Sequence, residues 1–225
     1  MLAITVANVD AMSHGRVELG LGAGWFTEEH TAYGFSFPEL GERFDVLEEQ
    51  LAEVDGLWRT PLGQHFSLAG RHYNLNNSPA LPKPVHSPPP IIVGGRGTRR
   101  TPALTARFAA EFNMPFVSID DYAPQRARVH RACEAIGRDP SSMVLSAAQV
   151  VVCAQDEATL AGRATAIGRE VAEPRQNGLC GTPSEIVERI ADWSSIGVRR
   201  LYLQVLDIDD LEHLDEIGTQ VLPNV

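Results

Sequence analysis

The sequence predicts an α/β fold of parallel strands joined by helices, and three observations favour it. Predicted strands and helices alternate along most of the 225 residues, which is the pattern of right-handed βαβ units. The segment Ser142–Ala154 is almost continuously apolar, as in strands buried on both faces of a parallel sheet. The stretch Ser87–Arg107 combines an apolar strand, a glycine turn and a helix start, which is the typical connection within such a unit.

Composition indicates one folded domain over residues 1–225 and excludes several classes of protein. The hydrophobic fraction of 44% suffices for a core, and no apolar run is long enough to span a bilayer. The N-terminus lacks the zones of a secretion signal, so the cytoplasm is the expected compartment. A formal charge of −10 argues against nucleic-acid binding, because phosphate contacts need a basic face.

The three cysteines, Cys133, Cys153 and Cys180, lie far apart without the CxxC spacing of a zinc site. They imply neither a disulfide framework nor a metal centre. Two carboxylates stand beside His30 in the segment TEEH, but no second cluster follows at ligand spacing. No metal is therefore expected.

The chain opens with an amphipathic helix over Met1–Met12, whose apolar positions are Leu2, Val6 and Val9. A strand, Arg16–Leu21, follows after a Ser-His-Gly stop.

Three glycines, Gly20, Gly22 and Gly24, alternate at the end of this strand and lead into a loop. Alternate glycines remove side chains from one face, so a flat ligand or another backbone can approach closely. Both interpretations remain open at this stage.

A helix over Pro38–Leu57 is predicted from its proline start and from Phe44, Leu47, Leu51 and Val54 at helical spacing. Its four glutamates are expected to form the solvated side: Glu42, Glu48, Glu49 and Glu53. The proline-rich segment 59–90 is an insertion, interpreted as a hairpin followed by an extended strap that covers a site. Its histidines, His65 and His72, are expected at the surface.

The glycine turn after the strand Pro90–Val93 predicts an anion site. Glycines allow close backbone approach, and the first turn of the next helix, Thr98–Thr101, offers unpaired N–H groups at a positive dipole end. Three arginines crowd this turn of an acidic chain: Arg96, Arg99 and Arg100. The alternative is a plain turn with solvated arginines. The motif is neither a Walker loop nor the dinucleotide fingerprint.

The second half continues the alternation and brings the predicted strands to five. In chain order the expected elements are strand Glu111–Ser118, helix Asp121–Gly137, strand Ser142–Ala154, helix Asp156–Val171, loop Glu173–Gly181, a helix capped by Thr182 and ended by Gly197, strand Arg200–Leu206 and helix Leu211–Leu222. The inward positions expected on helix Asp121–Gly137 are Ala127, Val129, Cys133 and Ile136.

Four segments in order resemble the luciferase-like monooxygenase superfamily, and more narrowly its actinobacterial branch that uses the deazaflavin coenzyme F420. They are GRVELGLGAGWFTEEHTAYGF, PPPIIVGGRGTRRT, AEFNMPF and GTPSEIVERIADWSSIGVRRLYLQ. The resemblance implies a TIM barrel with its ligand at the carboxyl ends of the strands. It assigns the five predicted strands to barrel strands four to eight, so the first three βα units, except the end of the third helix, are absent and the barrel is incomplete.

An incomplete barrel leaves strand edges and apolar side chains exposed. A partner, a second copy or a rearranged opening helix would cover them, or the chain is a fragment from a misplaced start codon. We favour the fragment as the origin of the sequence and expect a homo-oligomer, such as a dimer.

The resemblance also implies where a cofactor lies. Its ring is bordered by Gly22 and Gly24, with Trp25 and Glu28 nearby on the loop. The remaining positions implied for the ring, the ribityl chain and the phosphate end are Val93, Gly94, Gly95, Arg96, Gly97, Thr98 and Arg99.

The expected function is hydride transfer between a reduced cofactor, F420 or alternatively FMN, and a small organic substrate. Because the cofactor carries the chemistry, an obvious acid–base pair is not required, and Glu28 or His30 is the candidate proton donor. One alternative is a shortened, non-catalytic flavin-binding or interaction protein. Another is a phosphate-binding barrel lyase or isomerase, which is disfavoured because the only lysine, Lys83, lies in the strap.

Overall fold

The computed structural model describes residues 1–86 and 88–225, and the chain forms two compact units. The first unit comprises Met1–Glu111 and Ala132–Asp139, and the second comprises Phe112–Arg131 and Pro140–Val225. Ser87, the first residue of the glycine-turn stretch, lies outside the described residues.

The first unit contains two parallel strands, a hairpin and four helices among its described residues. In chain order these are α1 (Leu2–Met12), β1 (Leu19–Leu21), α2 (Thr27–Ala32), α3 (Leu40–Arg59), β2 (Phe66–Ala69), β3 (Asn74–Ser78), β4 (Ile91–Gly94) and α4 (Arg100–Phe108). Strands β1 and β4 pair in parallel, with Leu19 opposite Ile91 and Leu21 opposite Val93. The predicted βα connection after β4 is therefore confirmed.

The core of the first unit is built on α3. Leu47, Leu51 and Val54 are buried at the predicted helical spacing, while Phe44 packs against them partly exposed. The indole N–H of Trp58 donates to the carbonyl of Ala3 over 3.1 Å, which joins the end of α3 to the opening helix.

The opening helix forms as predicted, but its inward face differs from the expected one. Val9 is exposed, whereas Asp10 is completely buried. The Asp10 carboxylate accepts backbone N–H groups from Val17 and His86, which explains why an acidic residue occupies the inward position.

The expectation of a solvated glutamate side on α3 is wrong for two of its four members. Glu53 is buried, and Glu49 accepts the backbone N–H groups of Arg71, His72 and Tyr73 over 2.7–3.0 Å. These donors lie in the turn between β2 and β3, so Glu49 fastens the hairpin to the helix.

The segment 59–90 contains the predicted hairpin, because β2 and β3 pair antiparallel. In the strap that follows, the ammonium group of Lys83 donates to the carbonyls of Leu57 and Trp58 over 2.6 and 3.4 Å. A cation at these last carbonyls satisfies acceptors that a helix end leaves unpaired. The covering role of the segment stays a prediction.

The second unit holds four parallel-sheet strands in its described residues, arranged around one long central strand. The elements are β5 (Glu111–Pro115), α5 (Ile119–Ala135), β6 (Val144–Cys153), α6 (Glu157–Ala166), α7 (Ala172–Asn177), β7 (Leu179–Gly181), α8 (Pro183–Ser195), β8 (Arg200–Gln204) and α9 (Leu211–Glu216). Strand β5 starts, and α5 ends, within the first unit.

Strand β6 is the buried apolar strand predicted from the sequence. It neighbours β5 and pairs in parallel with two further strands: Ser146–Val150 with β8 and its last three residues with β7. A single long strand therefore organises the second unit.

Three details of the second unit correct the sequence-based assignments. The expected loop Glu173–Gly181 contains α7 and the additional short strand β7. Helix α9 ends at Glu216 and continues as a π turn over Ile217–Val221, so Leu211–Leu222 is not one regular helix. Ile136 is exposed, because α5 has already ended at Ala135.

Candidate functional site

Two glycine-rich strand ends, predicted separately, lie side by side in the first unit. The parallel register places Leu21 opposite Val93, so Gly22 and Gly94 follow at the same sheet edge. A β-carbon added to Gly22 would lie 3.4 Å from the carbonyl oxygen of Gly94. The close approach of the Gly94 backbone explains why position 22 is a glycine. Of the two interpretations drawn from the sequence, a flat ligand or another backbone, the second applies here.

Gly20 and Gly24 differ from Gly22 in what surrounds them. A β-carbon on Gly20 would have no heavy atom within 4 Å among the described residues, so the space beside it is open. Gly24 has a φ angle of +74°, a conformation that favours glycine. We call Gly20, Gly22 and Gly24 the glycine ladder. It combines an open position at Gly20, a close backbone contact at Gly22 and a turn at Gly24.

The glycine turn after β4 leads directly into an uncapped helix. Gly95 has a φ angle of +142°, and Gly97 is close to Thr101, whose hydroxyl oxygen would be 2.6 Å from a β-carbon at position 97. Thr98 is exposed and precedes α4, whose N-cap residue, Arg99, makes no side-chain capping bond. The first-turn N–H groups of α4 are therefore not satisfied by a side-chain cap.

The arginines at this turn have different roles. Arg100 pairs with Asp45 over 2.7 Å and Glu48 over 3.2 Å and donates to the carbonyl of Gly41, so α3 holds its guanidinium. Arg96 and Arg99 are exposed. Of the three arginines predicted to surround an anion, Arg100 is thus committed to structural contacts.

Val93 contributes backbone rather than side chain to this edge. Its side chain is completely buried in the core of the first unit, together with Ile91 and Leu51. Gly94 and Gly95 follow it as half-buried positions.

The loop after β1 carries the two residues predicted for proton transfer. Glu28 is exposed on the short helix α2. His30 is fixed instead: its Nδ1 lies 2.8 Å from the carbonyl oxygen of Phe26, and its ring centroid lies 4.5 Å from that of Phe37. Because a carbonyl only accepts, Nδ1 must be the donor, and Nε2 of the neutral ring is left as an acceptor.

The same loop exposes several aromatic side chains. Trp25 is 80% exposed and lies against Phe26 with ring centroids 5.2 Å apart, and Tyr33 and Phe35 are also exposed. The Trp25 ring is therefore available at the strand end where the sequence places the cofactor loop.

Arg43 of α3 is the residue near this loop that sequence reasoning missed. Its Nη1 donates to the carbonyl of Gly24 over 2.9 Å, and its guanidinium carbon lies 3.8 Å from the centre of the Phe37 ring. A cationic residue in the first turn of an acidic helix was the available signal. Its partners could not be found from spacing, because Gly24 lies 19 residues away.

The cysteines do not offer a nucleophile. Cys133, Cys153 and Cys180 are buried and unbridged. Burial raises the pKa of all three thiols, that of Cys153 to about 12, so they stay protonated near neutral pH. Within residues 1–86 and 88–225, no group of three His, Cys, Asp or Glu side chains could hold a metal ion, and no helix is long and apolar enough to cross a membrane.

Residues 1–171 match the sequence model of the luciferase-like monooxygenase family. The protein belongs to this family.

Its relatives use two different cofactors. In an alignment of 259 positions that includes the whole chain, it is 24% identical to an FMNH(2)-dependent dimethylsulfone monooxygenase of Pseudomonas putida, and it covers 70% of that protein. A shorter region, 43% of the chain, is 33% identical over 97 residues to an F420-dependent glucose-6-phosphate dehydrogenase of Kineococcus radiotolerans, of which it covers 27%.

The fold comparison agrees with the expected architecture. A solved F420-dependent secondary alcohol dehydrogenase, in complex with an F420-acetone adduct, matches all of this chain with a TM-score of 0.82 at 18% identity. The chain covers 74% of that structure. The prediction of an incomplete TIM-barrel-like α/β fold is confirmed.

Proposed function

We propose that this protein is an oxidoreductase that binds coenzyme F420, or alternatively FMN, at the glycine-lined edge formed by β1 and β4. The observation that carries the proposal is the pairing of the two glycine strand ends with open space beside Gly20. Family membership supports the reaction class, since relatives include both FMN- and F420-dependent enzymes. The bound cofactor would supply hydride for a small organic substrate.

The residues present fit the ring of such a cofactor. A flat heterocycle is best accommodated beside a wall without side chains, and Gly20 leaves open space beside β1, with Gly22 following at the end of the strand. Gly94 and Gly95 follow the paired strand β4 at the same edge, while Trp25 offers an exposed aromatic face on the loop. These residues would hold and orient the ring and exclude water from one side.

The anionic end of the cofactor would meet the start of α4. The N–H groups of its first turn have no side-chain cap, and a helix N-terminus favours negative charge. Gly97 and Thr98 border this start, and Arg99 adds an exposed guanidinium. Since α3 already holds Arg100, the charge contribution would come from Arg99 and the backbone.

His30 is the better placed of the two candidate proton carriers. Its Nδ1 is held by Phe26, so Nε2 faces away from that bond and can accept or deliver a proton. Its Nε2 lies 3.9 Å from where a β-carbon of Gly24 would stand, which puts the imidazole at the glycine ladder. Glu28 has no comparable positioning contact in the described part of the chain.

The discriminating variant for the ring site is Gly20→Val. A β-carbon at this position has no heavy atom within 4 Å apart from its chain neighbours, so we expect folding to persist while the ring is blocked. A substitution at Gly95 would be a poorer test, because its φ of +142° strains any other residue. Gly162→Val on α6 is the matched control, since that position is equally open.

The measurement is equilibrium binding of F420 and of FMN, followed by cofactor fluorescence. We expect saturable binding of one cofactor, at least a tenfold weaker affinity for Gly20→Val, as is typical of lost complementarity (about 1.4 kcal/mol or more), and no change for Gly162→Val. Equal affinities in all three proteins would overturn the site. No binding of either cofactor would favour the non-catalytic alternative.

A further inference from the structure

Arg43 connects helix α3 to the candidate cofactor loop at two points. One end of its guanidinium donates to the Gly24 carbonyl over 2.9 Å, and its face lies over the Phe37 ring at 3.8 Å. Gly24 needs its positive φ of +74° to turn the loop, so a bond to its carbonyl fixes that turn.

The second contact continues to the imidazole of His30. The ring of Phe37 contacts both side chains: the guanidinium carbon of Arg43 lies 3.8 Å from its centre, and the His30 ring is tilted by 50° with its centroid at 4.5 Å. His30 then closes the arrangement through its Nδ1 bond to the Phe26 carbonyl. Arg43, Phe37 and His30 therefore form a continuous series of contacts from the helix to the loop.

The character of Arg43 differs from that of the other arginines near α3. Arg59 and Arg100 are ion-paired, whereas Arg43 makes no salt bridge to a described residue, and its buried Nε finds no acceptor there. An unpaired buried donor costs free energy, which argues against a purely stabilising role. Its planar guanidinium group instead lies over an aromatic ring and donates a directed hydrogen bond to a carbonyl.

We propose that Arg43 is a positioning residue for the proposed reaction: through Phe37 and the Gly24 carbonyl it holds His30 with Nδ1 protonated and Nε2 presented at the glycine ladder. The inference rests on the proposed function for its catalytic meaning. Its structural part concerns only the chain's own residues and can be tested without cofactor.

The first test reads the tautomer of His30 in the cofactor-free protein. In protein with ¹⁵N-labelled histidine, the two imidazole nitrogens report which one carries the proton, and comparison with His30→Gln assigns the signal among the seven histidines. We expect the Nδ1–H form in the wild type and loss of that single form in Arg43→Met. Arg59→Met, which removes an exposed arginine of the same helix, is expected to leave the signal unchanged.

Phe37→Leu provides an independent variant if Arg43→Met folds poorly. It keeps the bond from Arg43 to Gly24 but removes the ring that contacts both the guanidinium and His30, so the same loss of the Nδ1–H form is expected. A wild-type tautomer signal in either folded variant would overturn the positioning role.

The second test separates positioning from cofactor binding. In the loaded enzyme, Arg43→Met should lower kcat by roughly ten- to a hundredfold, a loss typical of a misplaced acid–base group, while KM changes little. Arg43→Lys should recover less than half of the loss, because an ammonium group cannot both stack flat and donate in the required direction. An equal fall in cofactor affinity would instead indicate a binding role and contradict the proposal. Failure of the wild type to bind cofactor would refute the proposed function but leave the tautomer result interpretable.

Discussion

His213 shows how single side chains fasten the end of the central strand in the second unit. It is 4% exposed, and its Nε2 accepts the backbone N–H of Cys153 over 2.9 Å. Arg163 lies beside it and binds Asp210, Glu216 and the Cys153 carbonyl. The imidazole must be neutral to accept, and burial, followed by the charge of Arg163, lowers its pKa.

This geometry predicts a pH-dependent stability. Because the native pKa of His213 is lower than its unfolded value of 6.5, the unfolded chain binds the extra proton first as pH falls. The free energy of unfolding should therefore decrease below about pH 6.5 and be fully retained above it. Asp210 and Glu216 face the same group and raise its pKa, which moderates the effect.

The measurement is urea unfolding of the wild type and His213→Gln between about pH 5 and 8, the range in which histidine titrates. The glutamine can still accept from Cys153 but does not titrate, so its stability should change less with pH. Identical pH profiles would show that His213 is not the responsible group.

At the residue scale, the sequence identified positions set by backbone geometry better than it identified side-chain partners. The glycines Gly22 and Gly95 could be singled out because only backbone geometry explains them. The contacts of Arg43 and Glu49 could not, since each partner lies about 20 residues away and is set by how α3 packs. Distant side-chain pairing depends on tertiary placement, which periodicity does not encode.

Among the elements, the hairpin β2–β3 depends on a carboxylate that belongs to another element. Glu49 accepts three consecutive backbone N–H groups from its turn, and these bonds, that of His72 first, hold the pKa of Glu49 below its usual value. The attachment is therefore present at neutral pH and is lost only when acid protonates the carboxylate.

Replacing Glu49 should free the hairpin turn. In Glu49→Gln only one oxygen remains to accept, so at least one of the three N–H groups loses its partner. We expect trypsin to cleave after the exposed Arg71 several-fold faster than in the wild type, because local opening admits the protease. Glu48→Gln on the same helix should leave this cleavage rate unchanged. Equal cleavage rates in both variants would contradict the attachment of the hairpin turn by Glu49.

Helices α8 and α4 begin in opposite ways. At the start of α8, Thr182 caps the helix as the sequence predicted and forms a reciprocal capping box with Glu185, whereas the N-cap residue of α4 makes no side-chain capping bond. The Glu185 carboxylate already occupies the N–H of Thr182, so an external anion gains less there than at α4.

The capping box should contribute measurably to stability. Thr182→Ala removes the acceptor for the backbone N–H of Glu185 and should lower the free energy of unfolding by about 1 kcal/mol. Thr165→Ala, at an exposed position on α6, should change it by less than about 0.5 kcal/mol. Urea denaturation of both variants makes the comparison, and equal effects would argue against the cap.

Element prediction succeeded for the long segments and missed two short ones in the second unit. The twenty residues of α3 and the ten of β6 show clear apolar patterns and were found. Helix α7 and strand β7 have six and three residues, too few to express a period, and were assigned to a loop. Only pairing with β6 makes Leu179–Gly181 a strand.

For the whole molecule, the α/β class followed from alternation, but the barrel followed from resemblance. Parallel βαβ units fit several architectures, and the arrangement of five or six strands is not determined by periodicity. Family membership and the match to a solved relative supply what the pattern lacks.

Self-association remains the prediction at this scale. Ile4, Val9 and Met12 expose apolar surface along α1, with Met12 at 81%. Exposed apolar patches favour association. We therefore expect light scattering to give twice the monomer mass, and this mass should fall towards that of the monomer as the protein is diluted. A monomer mass at every concentration would contradict the expected dimer. Met12→Ser should weaken association, and Met143→Leu, a buried change, should not.

Helix α3 has one consequence for how the first unit opens. It holds the loop through Arg43, the start of α4 through Asp45, the hairpin through Glu49 and α1 through Trp58. Because all four segments are attached to the same helix, hydrogen exchange of their backbone N–H groups should report one common free energy of opening. The candidate cofactor edge would then open as part of one cooperative unit. Weakening any one attachment to α3 would lower the free energy of opening of all four segments.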